Sequence, residues 1–313
     1  MENKINITID ALEQEDRNVH NDDAVKKFDE KNYLNVKLGK DEKEKELRIR
    51  LLPFDSETFS PFKIIKMHSV KVNTQIAKSG YKNYVCIETS PDVDHEKFGN
   101  KCPFCELNRS AYKKSQEKGI TEEEKKQWIK LSLDNRPKDV CIVRCIERGH
   151  EEDGPKFWKF NVRSDNQDPR GMIKELFKNR KQESIEEEFG SKINGKSPRE
   201  IEEMCKESGF EPFNVLDIYE GKDLKITIKA VFDKENRRTN KTSITITDYG
   251  KVKPISENEE EVERWINDEK KWTDVFVTKS YKYLKIILEG KVPFFDKINN
   301  EWIARREIGR AHV

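Results

Sequence analysis

Leu47-Arg48-Ile49-Arg50-Leu51 alternates strictly between apolar and charged side chains, so a strand there sets Leu47, Ile49 and Leu51 on a core face and both arginines on the other. Pro53 ends it. Lys63 to Val72 and Tyr84 to Glu88 read as two further strands, with Lys78-Ser79-Gly80 as the turn between them. The period then lengthens to that of a helix over Cys105 to Lys118 and again over Thr121 to Leu133, with Gly119 between. Thr121 is the N-cap of the second helix and Glu124 sits at its capping-box position. Asp139 to Arg148 and Phe157 to Arg163 form a hairpin across the acidic loop Gly149 to Gly154. Residues 170 to 189 and 198 to 208 are helical, Asn214 to Asp233 and Lys241 to Pro254 return to strand, and Glu257 to Glu269 is an acidic helix carrying Trp265. No internal repeat interrupts this order. Paired strands broken by helical insertions predict an α+β fold with a β-barrel core, rather than alternating βαβ units.

Charge divides the same chain differently. Its 61 basic and 60 acidic residues nearly cancel, so net charge identifies no partner. Residues 1–46 carry 9 basic against 13 acidic side chains and read as a mobile acidic arm, with one extended piece at Tyr33 to Leu38. Residues 47–180 carry 27 basic against 20 acidic, together with five of the six cysteines and three of the five histidines. Function is therefore expected in that block. The resulting division is an arm over 1–46, a core over 47–253 with a metal subdomain at 68–118, and a C-terminal helix and strand region over 254–313. With 34% hydrophobic and 39% charged residues, no apolar run reaches the roughly 18 residues needed to span a bilayer, and the first residues show no signal pattern. A soluble protein without a membrane partner is expected.

Cys102-Pro103-Phe104-Cys105 is the sharpest local signal, because two thiolates separated by two residues can share one tetrahedral ion. Such a pair is half a site. Cys86 stands 16 positions before Cys102 and His68 a further 18 before that, on either side of the Gly80 turn, so a hairpin can carry both to the knuckle. His95 is the rival for the fourth position, being closer in sequence. Four protein ligands leave no open coordination position and so describe structural rather than catalytic zinc. The competing reading of the pair is two small buried hydrophobes. Cys141 and Cys145 share a strand face with Val143, and Cys205 is isolated, so these three are read as core.

Cations and aromatics cluster around these residues in the way a single-strand binder requires, with charge for phosphates and flat rings for unpaired bases. Arg48 and Arg50 share a strand face; Lys63, Lys66, Lys71, Lys78 and Lys82 follow, with Tyr81 and Tyr84 at the hairpin. Arg109, Tyr112 and Lys113 lie on the helix after the knuckle. In Phe157-Trp158-Lys159-Phe160, alternation puts Trp158, Phe160 and Val162 on one face and Phe157 and Lys159 on the other. Trp158 and Phe160 also suit a core.

Leu47 to Pro53, His68, Tyr84-Val85-Cys86-Ile87-Glu88-Thr89 and Cys102-Pro103-Phe104-Cys105-Glu106, in that order, resemble the core of the T-even-type bacteriophage single-stranded-DNA-binding proteins. Phe157 to Phe160 extends the likeness, which covers about 47–180 well and the rest weakly. The resemblance implies an OB-type β-barrel with an inserted zinc subdomain held by His68, Cys86, Cys102 and Cys105. It implies a non-enzymatic protein of the host cytoplasm that binds single-stranded DNA without sequence preference in replication, recombination and repair, with self-association along DNA and replication enzymes as further partners. Two features depart from the family, whose members carry a basic N-terminal segment and a long acidic C-terminal tail. Here the N-terminal stretch is acidic and the last residues include Arg305, Arg306 and Arg310.

Enzymatic readings lack their motifs. A zinc deaminase needs His-x-Glu followed by Pro-Cys-x-x-Cys, whereas His68 is followed by Ser69 and Val70, and Pro103 follows Cys102. No phosphate-cradling Gly-x-x-x-x-Gly-Lys loop, HExxH helix or Gly-x-Ser-x-Gly elbow is present. The alternatives are a zinc-dependent DNA-processing enzyme, such as a nuclease or deaminase, and a zinc-stabilised structural or virion protein.

Overall fold

The computed structural model describes residues 30–54, 60–163, 168–276 and 278–305. Strands β1 (Glu44–Leu52), β2 (Phe62–Lys71), β3 (Tyr81–Val85), β4 (Lys138–Glu147), β5 (Lys156–Asn161), β6 (Asp223–Phe232) and β7 (Arg238–Tyr249) make one antiparallel sheet. Helices α1 (Pro103–Ser115) and α2 (Glu122–Asn135) connect β3 to β4, and α3 (Pro169–Phe189) and α4 (Pro198–Ser208) connect β5 to β6. Then come α5 (Glu259–Ile266), α6 (Tyr281–Leu288) and the hairpin of β8 (Pro293–Asp296) and β9 (Glu301–Ala304). Thr121 caps α2 through the expected reciprocal bonds with Glu124. The strand expected from Asn214 begins only at Asp223, because residues 214–222 turn back on themselves through Asp217 and Lys222.

The fold is α+β as expected, but the sheet does not close. Its order is β3-β2-β4-β1-β6-β7, with β5 on β4, so β3 and β7 stand at opposite ends rather than sharing a ladder. The reason lies in β4, the hub, which is antiparallel to β2 over Lys138–Met67 to Val143–Phe62, to β1 at Arg144 to Glu147, and to β5 from Val140 to Cys145. Seven consecutive β4 residues from Val140 to Ile146 are buried. Val140 and Ile142 join one core with Ile65, Phe104 and Phe157. Cys141, Val143 and Cys145 join a second with Ile49, Trp158 and Ile226. A sheet covered on both faces is the middle layer of a stack, which needs no closure to hide its apolar surface.

Two-sided burial corrects three expected DNA contacts. Phe157 and Trp158 point to opposite faces of β5 as the alternation requires, yet each face is a core, and both rings are about 1% exposed. Arg50 is likewise 1% exposed. Its Nη2 donates to the carbonyls of Asp217 (2.5 Å) and Lys253 (3.0 Å), and its Nη1 lies 3.9 Å from the Asp223 carboxylate. Arg48, by contrast, stays on the solvent side with its guanidinium 5.2 Å over the Tyr249 ring.

The arm expected over 1–46 is not free across its described part. Residues 1–29 lie outside the described residues, as do Arg306 and Arg310 of the C-terminal end. Tyr33 to Leu38 is not free: the Leu34 amide donates to the Phe157 carbonyl (3.1 Å), Leu34 is buried in the second core, and the Tyr33 hydroxyl donates to the Val275 carbonyl (2.7 Å). An unpaired edge of β5 would leave backbone groups without partners, and this segment supplies them. Glu44 to Glu46 belong to β1, paired with Thr227 to Lys229 of β6.

Arg144 fastens the C-terminal region to the hub strand. From within β4 its Nη1 donates to Pro53 (3.0 Å) and Ile266 (3.3 Å), and its Nη2 to Trp265 (2.7 Å) and Asp268 (3.1 Å), all backbone carbonyls. Trp265 and Ile266 end α5, so the cation meets the negative end of that helix. Arg144→Met keeps the stem and strips four buried acceptors of their donor. It should destabilise the protein by about 3 kcal/mol in urea titration, since each bond to a charged group contributes about 1.5–3 kcal/mol. Arg144→Lys should recover little, because one ammonium cannot span the fork.

Candidate metal centre

The knuckle of Cys102 and Cys105 is the start of α1. Cys102 is its N-cap in extended conformation and Pro103 holds the first helical position, where its missing N–H costs nothing. Cys105 falls one turn in and turns to the same side. The β2–β3 hairpin, with Gly80 at positive φ in its turn, pairs His68 with Tyr84 and delivers Cys86 directly after β3. Four side chains from three chain segments thus meet, with their ligand atoms all within 4.8 Å of one another and all four residues buried.

Individual separations are those of a coordination polyhedron. His68 Nε2 lies 3.3 Å from Cys102 Sγ and 3.6 Å from Cys105 Sγ, and Cys86 Sγ lies 3.5 Å from Cys105 Sγ. Ligand atoms around tetrahedral zinc stand about 3.5–3.8 Å apart. A disulfide needs sulfurs at about 2.05 Å, and all six cysteines are free. The group can therefore hold a metal ion, and its donor set is compatible with structural zinc. His95, the rival ligand, is exposed and turns its Nδ1 toward the Gly99 carbonyl at 3.3 Å.

Surrounding groups fix the ligands' orientation and charge. His68 Nδ1 donates to the Asn135 carbonyl (2.9 Å) at the end of α2, which leaves Nε2 as the lone-pair nitrogen facing the thiols. The Thr89 hydroxyl donates to Cys86 Sγ (3.1 Å). Glu88 accepts the Cys102 amide (3.1 Å) and is gripped by both Arg109 nitrogens. Hydrogen bonds from Cys102 and then Cys105 hold the Cys86 thiol far below its usual range, while its bonds with Cys102 and Cys86 push the Cys105 thiol up. Burial pushes the Cys141 thiol up to about 12 and Cys145 up as well, so the core reading of that pair stands on an inert environment.

Around the centre the expected DNA contacts separate into two sets. Tyr81 and Tyr112 are about 60% and 59% exposed, and Lys82 is exposed with its ammonium 5.8 Å over Tyr84. Cys105, Arg109 and Tyr112 share one face of α1 by their spacing. Tyr84 is not available: it is 3% exposed and packs on Tyr283 at 6.0 Å. Lys66 and Arg109 are engaged with Asp139 (2.6 Å) and Glu88. Lys159 is half-buried over the Phe276 ring at 4.9 Å, its pKa lowered chiefly by burial, and Phe160 stacks edge-on against Trp158 at 4.9 Å.

Lys71 and Lys78, by contrast, are exposed and make no ion pair among the described residues. Their signal was already in the sequence, which has five lysines and no acidic residue between Glu57 and Glu88. Asn135 acts through its backbone carbonyl, so no side-chain pattern could have marked it. Elsewhere, no helix is long and apolar enough to cross a membrane among the described residues. No protein-family model matches the chain, and no curated protein matches it.

Proposed function

We propose that the chain is a zinc-stabilised, sequence-independent single-stranded-DNA-binding protein, with the β2–β3 hairpin and the outer face of α1 as its DNA platform. The observation that carries this is a hairpin bearing Lys71, Lys78, Lys82 and Tyr81, all exposed, without one acidic residue between Glu57 and Glu88, in a chain that elsewhere mixes its charges closely. Free cations attract the backbone of a strand, and an exposed ring gives an unpaired base a surface on which to stack. The resemblance to the T-even phage proteins supplies the partner class and the setting of replication, recombination and repair. The open sheet departs from the OB barrel that the resemblance implies, so the platform rests on the metal hairpin rather than on a barrel wall. Zinc is the proposed ion because three thiolates and one imidazole in a closed, buried cluster suit its tetrahedral preference and leave no position for substrate. That closure also supports a binding role over a catalytic one.

Purified protein should contain about one zinc per chain, with three sulfurs and one nitrogen in its X-ray absorption spectrum. Cys102→Ser and Cys105→Ser should lose metal and thermal stability together. A full complement of metal in either variant would remove the assignment.

Affinity for oligo(dT) should fall linearly with salt on logarithmic axes, by about 0.7 per phosphate contacted. Replacing Lys71, Lys78 and Lys82 together by alanine should flatten that slope by about 2. Tyr81→Ala or Tyr112→Ala should instead cost about 1–3 kcal/mol per base that loses its stacking partner and leave the slope nearly unchanged. Duplex of equal length is the control. Equal binding to duplex, indifferent to both tyrosines, would leave a general polyanion binder.

A further inference from the structure

Trp272 to Ile287 is packed against the metal hairpin and knuckle rather than forming a core of its own. Trp272, Val275, Phe276, Tyr283, Leu284 and Ile287 lie in one buried cluster with Cys86, Cys102, Phe104 and Cys105. Two hydrogen bonds pin the segment to the same region: Trp272 Nε1 donates to Asp92 Oδ2 (3.0 Å), and the Tyr281 hydroxyl donates to Glu106 Oε2 (2.7 Å), one residue beyond Cys105.

From these contacts we infer that metal occupancy controls the docking of the C-terminal segment, α6 and the β8–β9 hairpin forming one cooperative unit with the metal centre. The inference rests on the metal reading above. Helix α6 has eight residues, four of them buried, and a helix that short does not persist in water without a surface to cover. The surfaces it covers include α1, the β8–β9 hairpin and, through Tyr283, the Tyr84 ring of β3 at 6.0 Å. The hairpin is two-stranded and equally unable to stand alone, and it holds α6 through Trp302, whose ring meets Tyr283 edge-on at 4.8 Å. Helix α1 and β3 thus tie this unit to the rest of the molecule, and both belong to the metal centre: the first turn of α1 consists of metal ligands and the residues between them, and Cys86 follows β3 directly. Loss of the ion leaves crowded thiols in place of a fixed knuckle, α1 loosens, and α6 and the hairpin lose their platform together. The 272–276 turn has a separate hold, through Tyr33 on Val275 and Lys159 over Phe276, so release should begin beyond it. Coupling is reciprocal, and weakening the dock must weaken the metal.

The full chain should be followed by hydrogen exchange, metal-loaded and after equilibration with a chelator, with metal content measured in each sample. Amides of α6 and the β8–β9 hairpin should lose protection together with α1, while β4 and β6 keep theirs. In parallel, the double variant Trp272→Phe, Tyr281→Phe removes two hydrogen bonds and no ligand, and should release zinc to a competing chelator about tenfold more readily than the unaltered chain. Unchanged protection of α6 in metal-free protein, or unchanged metal retention in a double variant whose α6 exchanges faster, overturns the coupling and leaves the metal site standing. Metal-loading that fails in the unaltered chain overturns both.

Discussion

Three chain segments that are distant in sequence must end on one point for His68, Cys86, Cys102 and Cys105 to meet, and the rest of this half of the molecule is arranged around that requirement. The β2–β3 hairpin is long enough to carry a histidine and a cysteine to the same end. Helix α1 starts at the knuckle itself, and α2 ends where its last carbonyl receives the proton on His68 Nδ1. Each arrangement satisfies a polar group that would otherwise be buried without a partner. Four buried side chains able to hold a metal ion thus stand at the start of α1, so the packing of α1 and the geometry of the cluster are set by the same residues.

Elsewhere the central strand plays the organising part. Strand β4 is apolar on both faces and carries Arg144 to its end, where the side chain leaves the sheet to collect carbonyls from the β1 exit and from the end of α5. Arg50 and Arg148 work alike, the latter joining the Asp223 carboxylate at 2.7 Å and the Ile255 carbonyl at 2.7 Å. Three guanidinium groups thus tie loops to strands from inside. Cations used this way are buried or half-buried with their acceptors, whereas Lys71, Lys78 and Lys82 of the β2–β3 hairpin are exposed.

Local pattern determined a good deal. Alternation in 47–51, the capping box at Thr121 and Glu124, the Gly80 turn and the Cys-x-x-Cys knuckle each follow from interactions within a few residues, and each stands in the structure where the sequence puts it. The metal set was legible for a related reason, since a cysteine pair states half of a tetrahedron and a hairpin limits where the other half comes from. What only the tertiary structure decided is which faces are covered. Nothing in Leu47 to Leu51 tells Arg48 from Arg50, and nothing in Phe157 to Phe160 tells a stacking platform from a core. Arg48 stays in water because no layer covers that part of β1, while Arg50 is sealed by residues 217, 218 and 253, more than 160 positions away. Closure of the sheet was beyond the sequence for the same reason: period fixes the face on which a side chain lies, and long-range packing fixes what, if anything, lies against that face.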